Sequence, residues 1–161
     1  MNEKRFWLMI EQAWEVAGDM IAERKQLASG DLSEEAAEEL CGSIDDMLAA
    51  LSEALAMLDQ NELLEFDRIL ERKLYEIDRA EIQAHTDGSD DGFLYARGFI
   101  VAAGKAYYEA VNAEPQMAMM NLECEEMCYL SYHMYIERFG KMAKSEISRE
   151  SGSNAAGWPD R

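Results

Sequence analysis

The amino-acid sequence predicts an all-α fold, a single-domain helical bundle of about five to six helices. Apolar residues recur every three or four positions over long stretches, and no stretch alternates with the period of a strand. Only two prolines, Pro115 and Pro159, interrupt 161 residues. The length suits one domain able to bury its own core, and 48% hydrophobic with 30% charged residues is a globular composition. The helical domain is expected over residues 1–144. Residues 145–161 are rich in small and polar side chains and lack a period, so they are expected to form a flexible C-terminal tail with Trp158 as a local anchor.

The first helix is expected from Glu3 to about Ala28, with Phe6, Trp7, Ile10, Trp14 and Ile21 on its buried side. Gly18 and Asp19 stand where it would bend or split, and Ser29, Gly30 and Asp31 read as a turn. The strongest periodicity follows: Leu40, Ile44, Met47, Leu51, Leu55 and Leu58 lie on one helical face, with Ser33 as N-cap and Glu34 and Glu35 in the first turn, where the helix dipole favours anions. Asp59, Gln60 and Asn61 break the chain. Leu63, Phe66, Leu70, Leu74 and Ile77 then define a third helix, ending at His85, Thr86, Asp87 and Gly88.

A fourth helix begins at Ser89, Asp90, Asp91 and Gly92. Its inner face carries Phe93, Ala96, Ile100, Ala103, Gly104, Tyr107 and Val111. Pro115 marks the next junction. From there to about Lys144 the chain reads as one helix, or as a short one feeding a long one. Met120, Cys124, Met127, Ser131 and Met134 line one side of it, and Leu122, Tyr129, His133 and Ile136 another. Such a girth fits a helix at the centre of the bundle or one at a subunit contact, as in a homodimer.

There are 33 acidic side chains against 15 basic ones, so the formal net charge is −18. That balance argues against nucleic acid or an anionic membrane as a partner, because polyanions select a basic surface. No apolar run approaches the roughly 18 residues of a membrane span. The apolar stretch from Phe6 to Ile10 is cut by Glu11 and Gln12, too short for a signal-peptide core. Cys41, Cys124 and Cys128 make an odd cysteine count, which with no secretory signal suggests reduced thiols in a cytoplasm.

The charge is uneven along the chain. Residues 29–60 hold nine acids and no base, half of the net charge. Glu34, Glu35, Glu38, Glu39, Asp45, Asp46 and Glu53 would project from the solvent side of the second helix. They are either a solvated face or a docking surface for a basic protein. The complete absence of Lys and Arg favours the second reading, since exposed helices ordinarily mix signs through i,i+4 pairs.

Catalytic signatures are missing. A di-iron bundle would show Glu-x-x-His, but Ile82 and Leu130 stand three residues before His85 and His133. Cys124 and Cys128 share a helical face at an uncommon zinc spacing, and buried cysteine is often simply small and apolar. No nucleophile elbow, phosphate loop or dinucleotide fingerprint occurs. The expectation is therefore no catalytic residue, no metal and no cofactor.

The most distinctive local motif is Ser89-Asp90-Asp91-Gly92-Phe93, with Arg97 six residues after Asp91. Physically it is a helix entry: a capping side chain, acids in the first turn, and an arginine able to fold back onto an acid of that turn or onto a neighbouring helix. Together with Phe6, Trp7, Ile10 and Glu11, with Glu62, Leu63 and Phe66, and with Ile100, Gly104, Tyr108 and Pro115, it makes the chain resemble a family of all-helical bacterial domains of unknown function. Members of that family open with Phe-Trp-x-x-Ile-Glu and carry a central Asp-Asp-Gly-Phe followed by Arg and Gly. The resemblance covers roughly residues 3–140. The charged stretch Leu74 to Ile82 and Ala96 before the arginine depart from the pattern. The resemblance implies a fold and brings no activity.

Three functional readings follow. The leading one is a non-enzymatic protein that binds and neutralises or regulates a basic partner. Its most concrete form is an immunity protein against a bacterial toxin. A ligand-sensing or regulatory module would instead use an inter-helix pocket near Phe6, Trp7, Phe93 and Arg97. An unrecognised enzyme would use carboxylates such as Asp90 and Asp91.

Overall fold

The computed structural model describes residues 1–86 and 89–159, which form eight α-helices and no strand. They are α1 (Glu3–Ala17), α2 (Ile21–Ser29), α3 (Glu34–Ala56), α4 (Gln60–Glu76), α5 (Ala80–Gln83), α6 (Asp90–Ala102), α7 (Lys105–Ala113) and α8 (Glu125–Phe139). Single 3₁₀ turns stand at Pro115–Met117 and Ala155–Gly157. Asp87 and Gly88, expected to end the third helix, lie outside the described residues.

Eight helices exceed the expected five to six because three periodic segments break within their length. Gly18, Asp19 and Met20 all take positive φ, 107°, 70° and 42°, which divides the first segment into α1 and α2. Ile77–Arg79 separates α4 from the short α5. Gly104, at φ 106°, divides α6 from α7. The positive φ favours glycine there, and a Cβ would also displace the tips of the Arg24 and Glu11 side chains that meet over it.

The remaining boundaries follow local chemistry. Ser33 Oγ accepts from the Ala36 amide to start α3. Asp59 and Glu62 form a reciprocal capping box at α4. Ser89 Oγ accepts from the Gly92 amide to start α6.

The long helices pack as α1 on α3, α4 and α6 on α8, and α2 on α7. α8 meets α3, α4 and α6 through one face, which buries Met127, Cys128, Ser131 and Tyr135 and leaves Tyr132 and His133 exposed. The central helix is therefore α6, buried over most of its length between α4, α7 and α8. Aromatic side chains fill the space near α1: Phe6 lies 4.8 Å from Phe66 and Trp7 lies 5.2 Å from Tyr108, centroid to centroid. Trp14 is fully buried, and its indole N–H donates to the Ala102 carbonyl at 2.8 Å. Between α6 and α8, Gly98 allows the closest approach, because a Cβ there would strike the Cys124 carbonyl and Cys128 Sγ.

Of residues 145–161, expected as a flexible tail, the described ones carry no α-helix. Through Pro159 they lie across α4, α6 and α8, held by buried polar groups. Asp78 accepts from the amides of Gly152 and Asn154 at 3.0 and 2.9 Å and from Trp158 Nε1 at 3.0 Å. Arg149 pairs with Asp67 and donates to the Cys128 carbonyl. Three donors on one wholly buried carboxylate satisfy a charge that would otherwise be costly to desolvate. Trp158, the expected anchor, packs edge-on against Phe93 at 6.0 Å.

Candidate partner-binding surface

The long helix α3 divides cleanly by period. Leu40, Ile44, Met47, Leu48, Leu51 and Leu55 are buried, largely against α1. Glu34, Glu35, Glu38, Glu39, Asp45, Asp46 and Glu53 are all exposed on its outer side. They form two rows, 34–38–45 and 35–39–46–53, in steps of four and seven, so each row runs along the helix axis. Among the described residues, the ion pairs are made elsewhere, by partners such as Arg5–Glu62, Arg24–Glu11 and Arg149–Asp67, and none includes a carboxylate of α3. The negative field of this face is uncompensated.

An apolar element lies beside the acids. Val16 and Ala17 at the end of α1, with Ala49 and Ala50 of α3, floor a shallow groove of about 280 Å³ bordered by Asp46 and Glu53. Val16 is 76% exposed, and Met57, at the C-terminal end of α3, is 85% exposed. A lysine or arginine side chain could lay its aliphatic stem on such a floor and reach either carboxylate with its charged end. The acids were visible in the sequence. Val16 was not, because it falls off the apolar stripe of α1 and its meeting with α3 depends on how the two helices pack.

The residues of the family motif occupy several places. Phe6 is wholly buried, whereas Trp7 sits at the edge of the core with its indole N–H 3.4 Å from Glu3 Oε1. Phe93 and Arg97 lie together inside the bundle, the guanidinium carbon 4.8 Å from the ring centroid. Arg97 donates to the Leu74 carbonyl at 2.7 Å, to the Arg149 carbonyl at 2.9 Å and to Ser151 Oγ at 3.0 Å. Burial pushes its pKa down, opposed chiefly by the charge of Asp78. It therefore ties α6 to α4 and to the C-terminal segment. Asp90 and Asp91 are exposed in the first turn of α6, and the Asp90 carbonyl accepts from Ser151 Oγ at 2.6 Å. Phe6 and Trp7 thus serve one side of the core and Phe93 and Arg97 another.

Cys124 and Cys128 are buried thiols whose pKa values burial raises to about 12. Cys128 Sγ donates to the Leu94 carbonyl at 3.4 Å. Among the described residues, no group of three His, Cys, Asp or Glu side chains is placed to hold a metal ion. No helix of the described residues is long and apolar enough to cross a membrane.

A model of a family described as a protein of unknown function, DUF4240, matches residues 1–144. No curated protein and no solved structure matches the chain.

Proposed function

Because the chain belongs to the DUF4240 family, whose function is unknown, we propose a role from its surface chemistry: it binds and restrains a basic protein through the outer face of α3. The observation that carries this reading is the exposed double row of seven carboxylates without a cationic partner among the described residues. A long single-sign face accelerates encounter with a cationic surface and repels anionic competitors. The groove floored by Val16, Ala17, Ala49 and Ala50 adds an apolar foothold where a basic side chain of the partner would anchor. The most specific form of the proposal is an immunity protein that covers a basic toxin in the cytoplasm. The odd set of three free thiols is in keeping with a reducing compartment.

The test is affinity capture from the native host, with the product of the neighbouring gene as first candidate, using the wild-type chain and a Glu34→Lys, Glu38→Lys, Asp45→Lys variant of unchanged helicity. The expected result is a cationic protein held by the wild type, released by salt, and held at least about tenfold more weakly by the variant. Equal affinity for both forms would remove α3 from the interface.

A further inference from the structure

A second groove lies on a different part of the molecule, and its charge is of the opposite sign. It runs among α1, α2 and α7, has a volume of about 670 Å³, and is floored by Trp7, Leu8, Ile21, Ala103 and Ala106. Leu8 is 50% exposed and Ile21 49%, large apolar side chains that neither the core nor α3 explains. Four of the chain's fifteen basic residues line it: Lys4, Arg24, Lys25 and Lys105.

Two of these are committed. Arg24 Nη2 holds both oxygens of Glu11 at 2.6 and 2.7 Å while its Nε donates to the Ala103 carbonyl at 2.9 Å. Lys105 pairs with Glu109 at 3.3 Å. Both groove carboxylates are thereby neutralised by their own partners. Lys4 and Lys25 have no carboxylate within ion-pair distance among the described residues, so the groove keeps two uncompensated positive charges in a chain of net −18. Their register matters. Lys4 stands one helical turn before Leu8 on α1, and Lys25 one turn after Ile21 on α2. Each exposed apolar side chain therefore has a free ammonium within a turn of it.

We propose that this groove binds an amphiphilic monoanion, a long-chain carboxylate whose acyl chain lies over Trp7, Leu8 and Ile21 and whose head group is held by Lys4 and Lys25. Size favours a small ligand over a protein. Eleven residues line the groove, against roughly 20–30 residues on each side of a stable protein interface. Its volume falls within the roughly 300–1,000 Å³ typical of small-molecule sites. Sign selects the anion, and the unsupported apolar floor selects the chain.

The site is independent of α3, so it stands or falls separately from the docking face. The test is calorimetric titration of the full chain with dodecanoate, beside dodecyltrimethylammonium as a cation of equal chain length. The variants are Lys4→Glu/Lys25→Glu and Leu8→Asp/Ile21→Asp, each checked for helicity, with light scattering to follow mass. Saturable dodecanoate binding is expected, weakened by about tenfold or more in the lysine variant and lost in the apolar one, with weaker binding of the cation. Absence of saturable dodecanoate binding would overturn the proposal, as would equal affinity in the lysine variant or for the cation. A concentration-dependent dimer that Leu8→Asp/Ile21→Asp dissociates, without dodecanoate binding, would give the groove to a second copy of the chain and likewise overturn it.

Discussion

Arg149 Nη2 lies 3.0 Å from Asp67 Oδ2, a buried ion pair joining residues 82 positions apart in sequence. Asp67 also accepts from Ser131 Oγ at 2.9 Å, so α4, α8 and the C-terminal segment meet on one carboxylate. The Arg149 guanidinium shares its remaining donors with the Cys128 carbonyl. Low dielectric strengthens each of these bonds and makes the loss of any partner expensive.

Replacing one member of this pair should therefore cost more than replacing both. Asp67→Ala or Arg149→Ala is expected to lower the unfolding free energy by about 3–5 kcal/mol, because each strands a buried charge. Asp67→Leu with Arg149→Met should cost markedly less, since Asp67 leaves with its partner, and buried Glu71, which also faces Arg149 at 3.8 Å, keeps its ion pair with Arg68. Urea denaturation of the single and double variants measures the difference.

A chain ending at Lys144 would lose Arg149, Ser151 and Trp158 together. Asp67 would keep only Ser131, while Asp78 and two donors of Arg97 would lose their partners. The expected outcome is a clearly lower urea midpoint and faster amide exchange in α6. An unchanged midpoint would mean that the C-terminal segment contributes nothing to the fold.

How much of this was legible in the sequence depends on how local each cause is. The acidic helix could be read because its period, its Ser33 cap and its lack of Lys and Arg are all local. Gly18 and Asp19 signalled the division of the first helix for the same reason. Gly104 read as a small residue within one helix. Its positive φ belongs with the clamp between Arg24 and Glu11, groups about 80 and 93 residues away, so sequence period could not show it. The roles of Asp67, Asp78 and Arg149 were hidden likewise. Each is an ordinary charged residue until a distant segment arrives to bury it. Arg97 was singled out, and of the two partners open to it, an acid of the first turn or a neighbouring helix, it takes the helix, at the Leu74 carbonyl of α4. Its bonds to the Arg149 carbonyl and Ser151 could not be read because that segment is distant in sequence.

Gly104→Ala should destabilise by at least about 2 kcal/mol, through a left-handed backbone and displacement of the Arg24–Glu11 pair. Gly98→Ala should cost about 1–3 kcal/mol, because the added methyl group meets backbone at Cys124 and pushes α8 from α6. Thermal unfolding compares them with Gly42→Ala, where a Cβ meets nothing and a stabilising effect is expected.

The buried thiols also set an alkaline limit. Cys124 and Cys128 titrate near 12 when folded against an ordinary value of 9.0, so above pH 9 the unfolded chain loses protons that the folded chain retains. Stability should be undiminished by these groups below pH 9 and fall as pH rises toward 12, at up to about 1.4 kcal/mol per pH unit for each thiol. Cys124→Ala with Cys128→Ala should flatten that slope while lowering stability at neutral pH, as urea midpoints measured across the range would show. At pH 8 a thiol reagent should modify the half-buried Cys41 well before either of the others.

The docking role of α3 is tested most directly by amide hydrogen exchange of the chain alone and in complex with its captured basic partner. Protection on binding is expected along residues 34–53 and at Val16 and Ala17, and it should disappear in the Glu34→Lys, Glu38→Lys, Asp45→Lys variant. Protection confined to other helices, with α3 exchanging as in the free chain, would contradict the proposal.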